Sequence, residues 1–132
     1  MAFTAFLQQA MLKHFLGTSA YTFPTGGVYV ALFLVPPTTS PPTEISGNNY
    51  SRIAVSGWST VLQSSTTIAS NSSTVLFPTP SSGGWGTITA FGIYDSFTGG
   101  NLLFWGNLVQ NTVAQDGSSV QFQTGSLQVN IT

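Results

Sequence analysis

Six side chains of 132 titrate in the acid-to-neutral range or carry a fixed charge: Lys13, His14, Glu44, Arg52, Asp95 and Asp116. Catalysis by paired carboxylates needs two acids converging on one substrate. Here both aspartates sit in or beside turn sequences, Asp95-Ser96-Phe97-Thr98-Gly99-Gly100-Asn101 and Asp116-Gly117. In such turns the carboxylate serves its local backbone. Glu44 sits in a proline-rich loop. A hydrolytic triad needs a histidine, and His14 falls on the apolar stripe of a helix, where packing explains it. Metal sites need several histidine, cysteine or carboxylate ligands, and cysteine is absent. The run Gly83-Gly84-Trp85-Gly86 has no following lysine and opens a strand, so it is not a phosphate cradle. No catalytic, cofactor-binding or metal residue is assigned, and an enzyme is not expected. Arg52, the only arginine, is expected to pair with one of the three carboxylates or to cap backbone carbonyls. Aromatic stacking on sugars is the remaining binding chemistry, with Trp58, Trp85 and Trp105 as candidates. Trp105 alternates with apolar residues and reads as core; Trp85, between glycines, is open to either role.

Charged residues make up 4% of the chain, against about 25% in ordinary soluble domains. Hydrophobic content of 42% and aromatic content of 13% argue for a folded chain. With so little charge to keep copies apart, much of the surface is expected to be covered in the working state. Two basic residues and a net charge of −1 cannot make a nucleic-acid patch. Apolar runs fall far short of the ~20 residues that span a bilayer. No basic segment precedes the first apolar residues, so a signal peptide is not expected.

The elements that must position these residues read as one domain over 1–132. Residues 3–16 give the only helical pattern: Phe3, Leu7, Ala10, Met11 and His14 share a face, flanked by Phe6 and Phe15. Thr4 suits the N-cap and Gly17 the left-handed residue after the end. Residues 28–35 form a short apolar run expected to be a strand buried on both faces. Pro36 and Pro37 end it and open the loop 36–49, whose prolines exclude it from a sheet ladder. That loop is an arm to a neighbouring subunit or a surface loop. Residues 50–56 alternate as a strand with Ile53 and Val55 inward. Residues 58–73 hold one or two weak strands, and 74–77 a short one. The stretch from Phe77 to Leu108 is the spine: a strand over 87–95, a turn, and a return strand over 102–108. Ile88, Ala90, Gly92 and Tyr94 fall on one face, Phe91 and Ile93 on the other. Leu102, Phe104 and Leu108 oppose Leu103 and Trp105. Both strands are apolar on both sides and belong at the centre of a covered sheet, with an aromatic ring expected over Gly92 or Gly106. Residues 119–123 and 127–131 alternate as half-exposed strands. The fold class is mainly β, an antiparallel β-sandwich with one N-terminal amphipathic helix.

Residues 77–108 also carry a resemblance. Phe77-Pro78, Gly84-Trp85-Gly86-Thr87, Phe91-Gly92-Ile93-Tyr94-Asp95 and Thr98-Gly99-Gly100-Asn101-Leu102-Leu103-Phe104 with Gly106 look like a family of small virion proteins of tailed bacteriophages. Its members are described variously as tail fibre, minor tail or capsid decoration proteins. The pattern extends to the N-terminal helix, to a strand like Val28-Tyr29-Val30-Ala31-Leu32, to Tyr50-Ser51-Arg52, and to a tail like Val120-Gln121-Phe122. This chain departs from it in its few charges and in Pro80 and Trp105. The resemblance implies a structural virion component, made in the host cytoplasm, with no cofactor. The favoured reading is a capsid decoration (cement) protein that binds the outer capsid lattice, with the helix and proline arm clamping subunits. The alternative is a tail-fibre or minor tail component that recognises host-surface glycans. Expected partners are the major capsid protein or other virion proteins and further copies of the chain, as a dimer or trimer; nucleic acid and membrane are not expected. Phe6, Lys13, His14, Pro36, Pro37, Pro41, Pro42, Trp58 and Trp85 are the candidate protein-contact residues.

Overall fold

The computed structural model describes residues 2–22, 24, 26–38 and 42–131. It is mainly β, with antiparallel sheets and one short helix. A five-stranded sheet has the order β1-β8-β7-β2-β3: β1 (Ala2–Phe3), β8 (Leu102–Ala114), β7 (Gly86–Tyr94), β2 (Tyr29–Phe33) and β3 (Ile53–Ala54). A three-stranded sheet has the order β10-β5-β4, from β10 (Gln128–Ile131), β5 (Thr66–Asn71) and β4 (Trp58–Gln63). A third sheet pairs β6 (Val75–Leu76) with β9 (Gln121–Phe122).

The main core forms on one face of the five-stranded sheet. Val30, Leu32, Ile88 and Phe91 from that sheet meet Val55, Val75, Phe77, Trp85, Val120 and Leu127. The other face carries a smaller cluster of Ala31, Phe33, Ala90 and Tyr94, with Leu102 against it. Strand β2 is therefore buried on both faces, as its unbroken apolar run requires. Phe33 lies over Gly92: a Cβ there would stand 2.8 Å from its Cε2 and 2.6 Å from Leu102 Cδ1. The glycine is needed for that approach, which is the ring-over-glycine packing expected of a mid-strand glycine.

The helix α1 (Ala5–Phe15) is shorter than 3–16 at both ends. Phe3 instead pairs with Phe104 in the sheet, their rings 4.8 Å apart edge to face. Thr4 ends that strand and caps the helix at once. Its Oγ1 accepts from Leu7 N–H at 3.3 Å and donates to Leu102 O at 2.6 Å. At the far end Gly17, at φ +77°, lets Thr18 N–H reach Lys13 O and Gly17 N–H reach His14 O, the paired closure of a left-handed cap. Leu7 is the helix's buried residue, so α1 docks on β8 of its own chain and leaves Leu12, Phe15 and Leu16 exposed.

The segment 58–73 holds two strands, within the one or two expected, as a regular hairpin of β4 and β5 in register over six pairs. Three expectations change. The predicted strand over 50–56 shortens to Ile53–Ala54. Ile88 does not share a face with Ala90 and Tyr94; the ladder between β7 and β8 shifts register between Ile88 and Ala90, and Ile88 turns into the main core beside Phe91. Finally, the return strand runs on to Ala114, and Val109 and Val113 in its outer half are exposed. Its first half is covered as expected, and in the outer half Ala114 alone is buried, in the main core.

Candidate functional site

The polar centre of the molecule lies at the end of the β7–β8 hairpin. Glu44 joins Phe33 through an isolated antiparallel bridge, and Ile45 N–H bonds Leu32 O. The proline loop thus folds back onto its own sheet at this end. Its tip, including Pro41, lies outside the described residues. From that position Glu44 Oε1 accepts from Arg52 Nη2 at 2.8 Å, and Oε2 accepts from Arg52 Nε at 3.0 Å and from the Tyr50 hydroxyl at 2.5 Å. Arg52 Nη1 donates to Ser96 O at 2.8 Å and Gly99 O at 2.7 Å. Its guanidinium stacks 3.6 Å over the Tyr94 ring. The Tyr50 hydroxyl also accepts from Leu32 N–H at 3.0 Å.

One arginine therefore ties the loop, the segment after it and the hairpin turn together. Asp95 shapes that turn, accepting from Asn101 N–H at 2.7 Å and Asn101 Nδ2 at 3.0 Å. Burial, then the adjacent Glu44 carboxylate, holds the Tyr50 phenol far above its ordinary range, outweighing the opposing pull of Arg52. Tyr94 is raised by burial and by Glu44. Burial alone would lower the Arg52 guanidinium, but its bonds to Glu44 leave it raised. Every donor on Arg52 named here is directed at the protein. The arrangement is that of a structural latch, not of a group poised for proton transfer.

An open cleft of about 770 Å³ runs above the latch, with Phe3, Phe6, Pro37, Pro42 and Trp105 along it. A second groove of about 370 Å³ runs beside α1, where Met11, His14 and Phe15 face Leu103 and Phe104. It is almost wholly apolar. His14 Nδ1 accepts from Tyr21 N–H at 3.2 Å, pinning the connector to the helix.

The predicted contact residues are dispersed. Phe6, Pro37 and Pro42 come together at the cleft, although Pro37 is buried. Lys13 and His14 are exposed near the C-terminal end of the helix, and Pro36 is half-buried. Trp58 stands apart on β4. Trp85 is a correction: it is buried in the main core and its Nε1–H donates to Asn48 O at 2.8 Å, so it has no face to offer a partner. Trp105, read as core, is half-buried and borders the cleft. Sequence reasoning missed Val61 and Leu62, exposed side by side on β4; the only signal was two adjacent apolar residues in a hydroxyl-rich run.

Among the described residues no group of three or more histidine, cysteine or acidic side chains could hold a metal ion. No helix there is long and apolar enough to cross a membrane. A family model described as podophage GP4 fiber I protein gp80 matches residues 2–130. A search among curated proteins found no match.

Proposed function

The chain belongs to the family of the podophage GP4 fiber I protein gp80, a family of tailed-phage virion proteins, and from that premise we propose that it is a structural subunit of a virion fibre. The match over residues 2–130 carries this reading. This reading takes the fibre alternative, which fits the family's description, over the capsid decoration role that composition and resemblance favoured. These 132 residues carry no sequence repeat of the kind that builds a long shaft, so in this reading they form a folded, non-repeating unit of the fibre. The molecule's surfaces suit such a place. Its exposed apolar side chains include Leu12 and Phe15 on the helix, Val61 and Leu62 on the three-stranded sheet, and Val109 and Val113 on the outer half of β8, and its polar surface is largely uncharged hydroxyl and amide. Both can be buried against protein without stripping water from charged groups. The partners in this reading are other virion proteins and further copies of the chain, and the function is mechanical rather than catalytic.

Imaging of the intact particle carrying an affinity label on this chain tests the proposal. Density confined to fibres projecting from the particle supports it. Density at many copies across the shell overturns it in favour of the decoration role.

A further inference from the structure

Strand β4 is an open sheet edge with none of the usual protections. Edge strands of soluble monomers are blunted by charge, proline, a bulge or a covering element. No charged residue occurs between Arg52 and Asp95, and none lies in β10. The Trp58–Gln63 segment contains no proline, and its ladder with β5 is unshifted over six pairs. Five of its six residues are exposed, with Leu62 at 71% and Val61 at 54%; Trp58 packs against the main core, and among the described residues no strand pairs with its outer side.

The hydrogen-bond phase of this edge can be assigned. Ser72 N–H bonds Gly57 O, and Asn71 N–H bonds Leu127 O on the opposite side. With Trp58 opposite Asn71, the alternation of an antiparallel ladder turns the N–H and C=O of Trp58, Thr60 and Leu62 outward. Trp58 and Leu62 stand symmetrically about Thr60 and share its face. A strand pairing antiparallel with a copy of itself, centred on Thr60, therefore sets each Trp58 against the other copy's Leu62. Such a pairing makes about six backbone hydrogen bonds and sets the exposed apolar side chain of Leu62 beside the half-buried ring of Trp58, which packs on its own main core. The neutral sequence meets itself without opposing like charges.

We propose that β4 is a self-association edge: two copies of this chain join β4 to β4 about a two-fold axis at Thr60, fusing their three-stranded sheets into one of six strands. This holds whether the particle carries the protein on a fibre or on its shell. The occupant is a second copy because the uncharged edge meets itself in phase about any of its outward residues, and centring on Thr60 is what pairs Trp58 with Leu62 and uses all three outward residues.

The chain has no cysteine, so Thr60→Cys supplies a unique thiol. In the proposed pair the two Cα atoms stand about 5.5 Å apart, inside the roughly 4.4–6.8 Å window of a disulfide. Mild oxidation is expected to convert most of that variant to a covalent dimer, while Ser126→Cys, remote from the edge, stays unlinked. Thr60→Pro removes an outward N–H and none of the β4–β5 bonds, so it is expected to yield a monomer by sedimentation with an unchanged circular dichroism spectrum. Leu62→Lys provides the same disruption if the proline perturbs folding. A wild-type chain that stays monomeric as concentration rises overturns the proposal. So does a wild-type oligomer that Thr60→Pro and Leu62→Lys leave intact, or one in which Cys at 60 never links to its copy.

Discussion

Strands β7 and β4 are both uncharged runs of apolar and hydroxyl residues, yet β7 is buried along most of its length and β4 is exposed along most of its length. The difference lies in their neighbours. Strand β7 has β2 on one side, β8 on the other, the main core on one face and the Phe33–Tyr94 cluster on the other. Strand β4 has β5 alone. Apolar content does not decide burial; the number of elements that can reach a strand does. The region around β7 is closed by packing and one ionic latch. The region around β4 is held mainly by its ladder, and a short ladder with little covered face is marginal in water.

Four substitutions or conditions separate the two regions. Arg52→Met should have the largest effect, costing about 3 kcal/mol, because it strips the counter-charge from the Glu44 carboxylate, which keeps only the Tyr50 hydroxyl, and leaves two turn carbonyls without their donor. Urea denaturation measures it, and a loss below about 1 kcal/mol would mean that packing alone closes the β7 side. Gly92→Val should cost about 2 kcal/mol by forcing Phe33 and Leu102 aside, read as a lowered melting temperature; an unshifted melt would place β7 away from the sheet centre. Alkali should come next. Tyr50 and Tyr94 keep their protons to higher pH in the folded state than when unfolded. Their contribution is thus complete below about pH 10 and is lost as pH rises through the folded values. Each such tyrosine costs up to about 1.4 kcal/mol per pH unit above 10, and Tyr50→Phe should flatten the fall in a pH series of urea midpoints. The smallest effect belongs to the other region: Leu62→Ser in dilute solution should change stability by less than about 0.5 kcal/mol. A loss comparable to that of Gly92→Val would show that β4 is packed after all.

Where the sequence was legible, local chemistry and burial agreed. The helix caps at Thr4 and Gly17 follow from side-chain and φ preferences that need no tertiary partner. The β7–β8 hairpin was visible because both strands are apolar and Asp95 to Asn101 is turn chemistry. Strands β4 and β5 were faint because neither face is deeply buried, so no period-two contrast was selected. The face change at Ile88 was invisible because alternation assumes an unbroken register. Trp85, left open between core and contact, is core, and Trp105, read as core, is half-buried, because flanking residues do not report burial: a glycine-bordered tryptophan can sit in a core when the chain turns inward beside it. That Arg52 pairs with a carboxylate followed from its being the only arginine. That the carboxylate is Glu44 depended on a proline loop folding back on its sheet, which no local pattern encodes.

The order of strands also sets a timetable for synthesis. Thr4 finds its acceptor at Leu102, 98 residues later in the chain, and β1 has no other strand to pair with. At roughly 5–20 residues per second, a ribosome takes about 5–20 s to make that partner. Throughout that interval α1 has no β8 on which to dock. The pairing of Ala2–Phe3 and the docking of the helix therefore wait on β8, and through that wait the apolar face of the helix is open to a host chaperone.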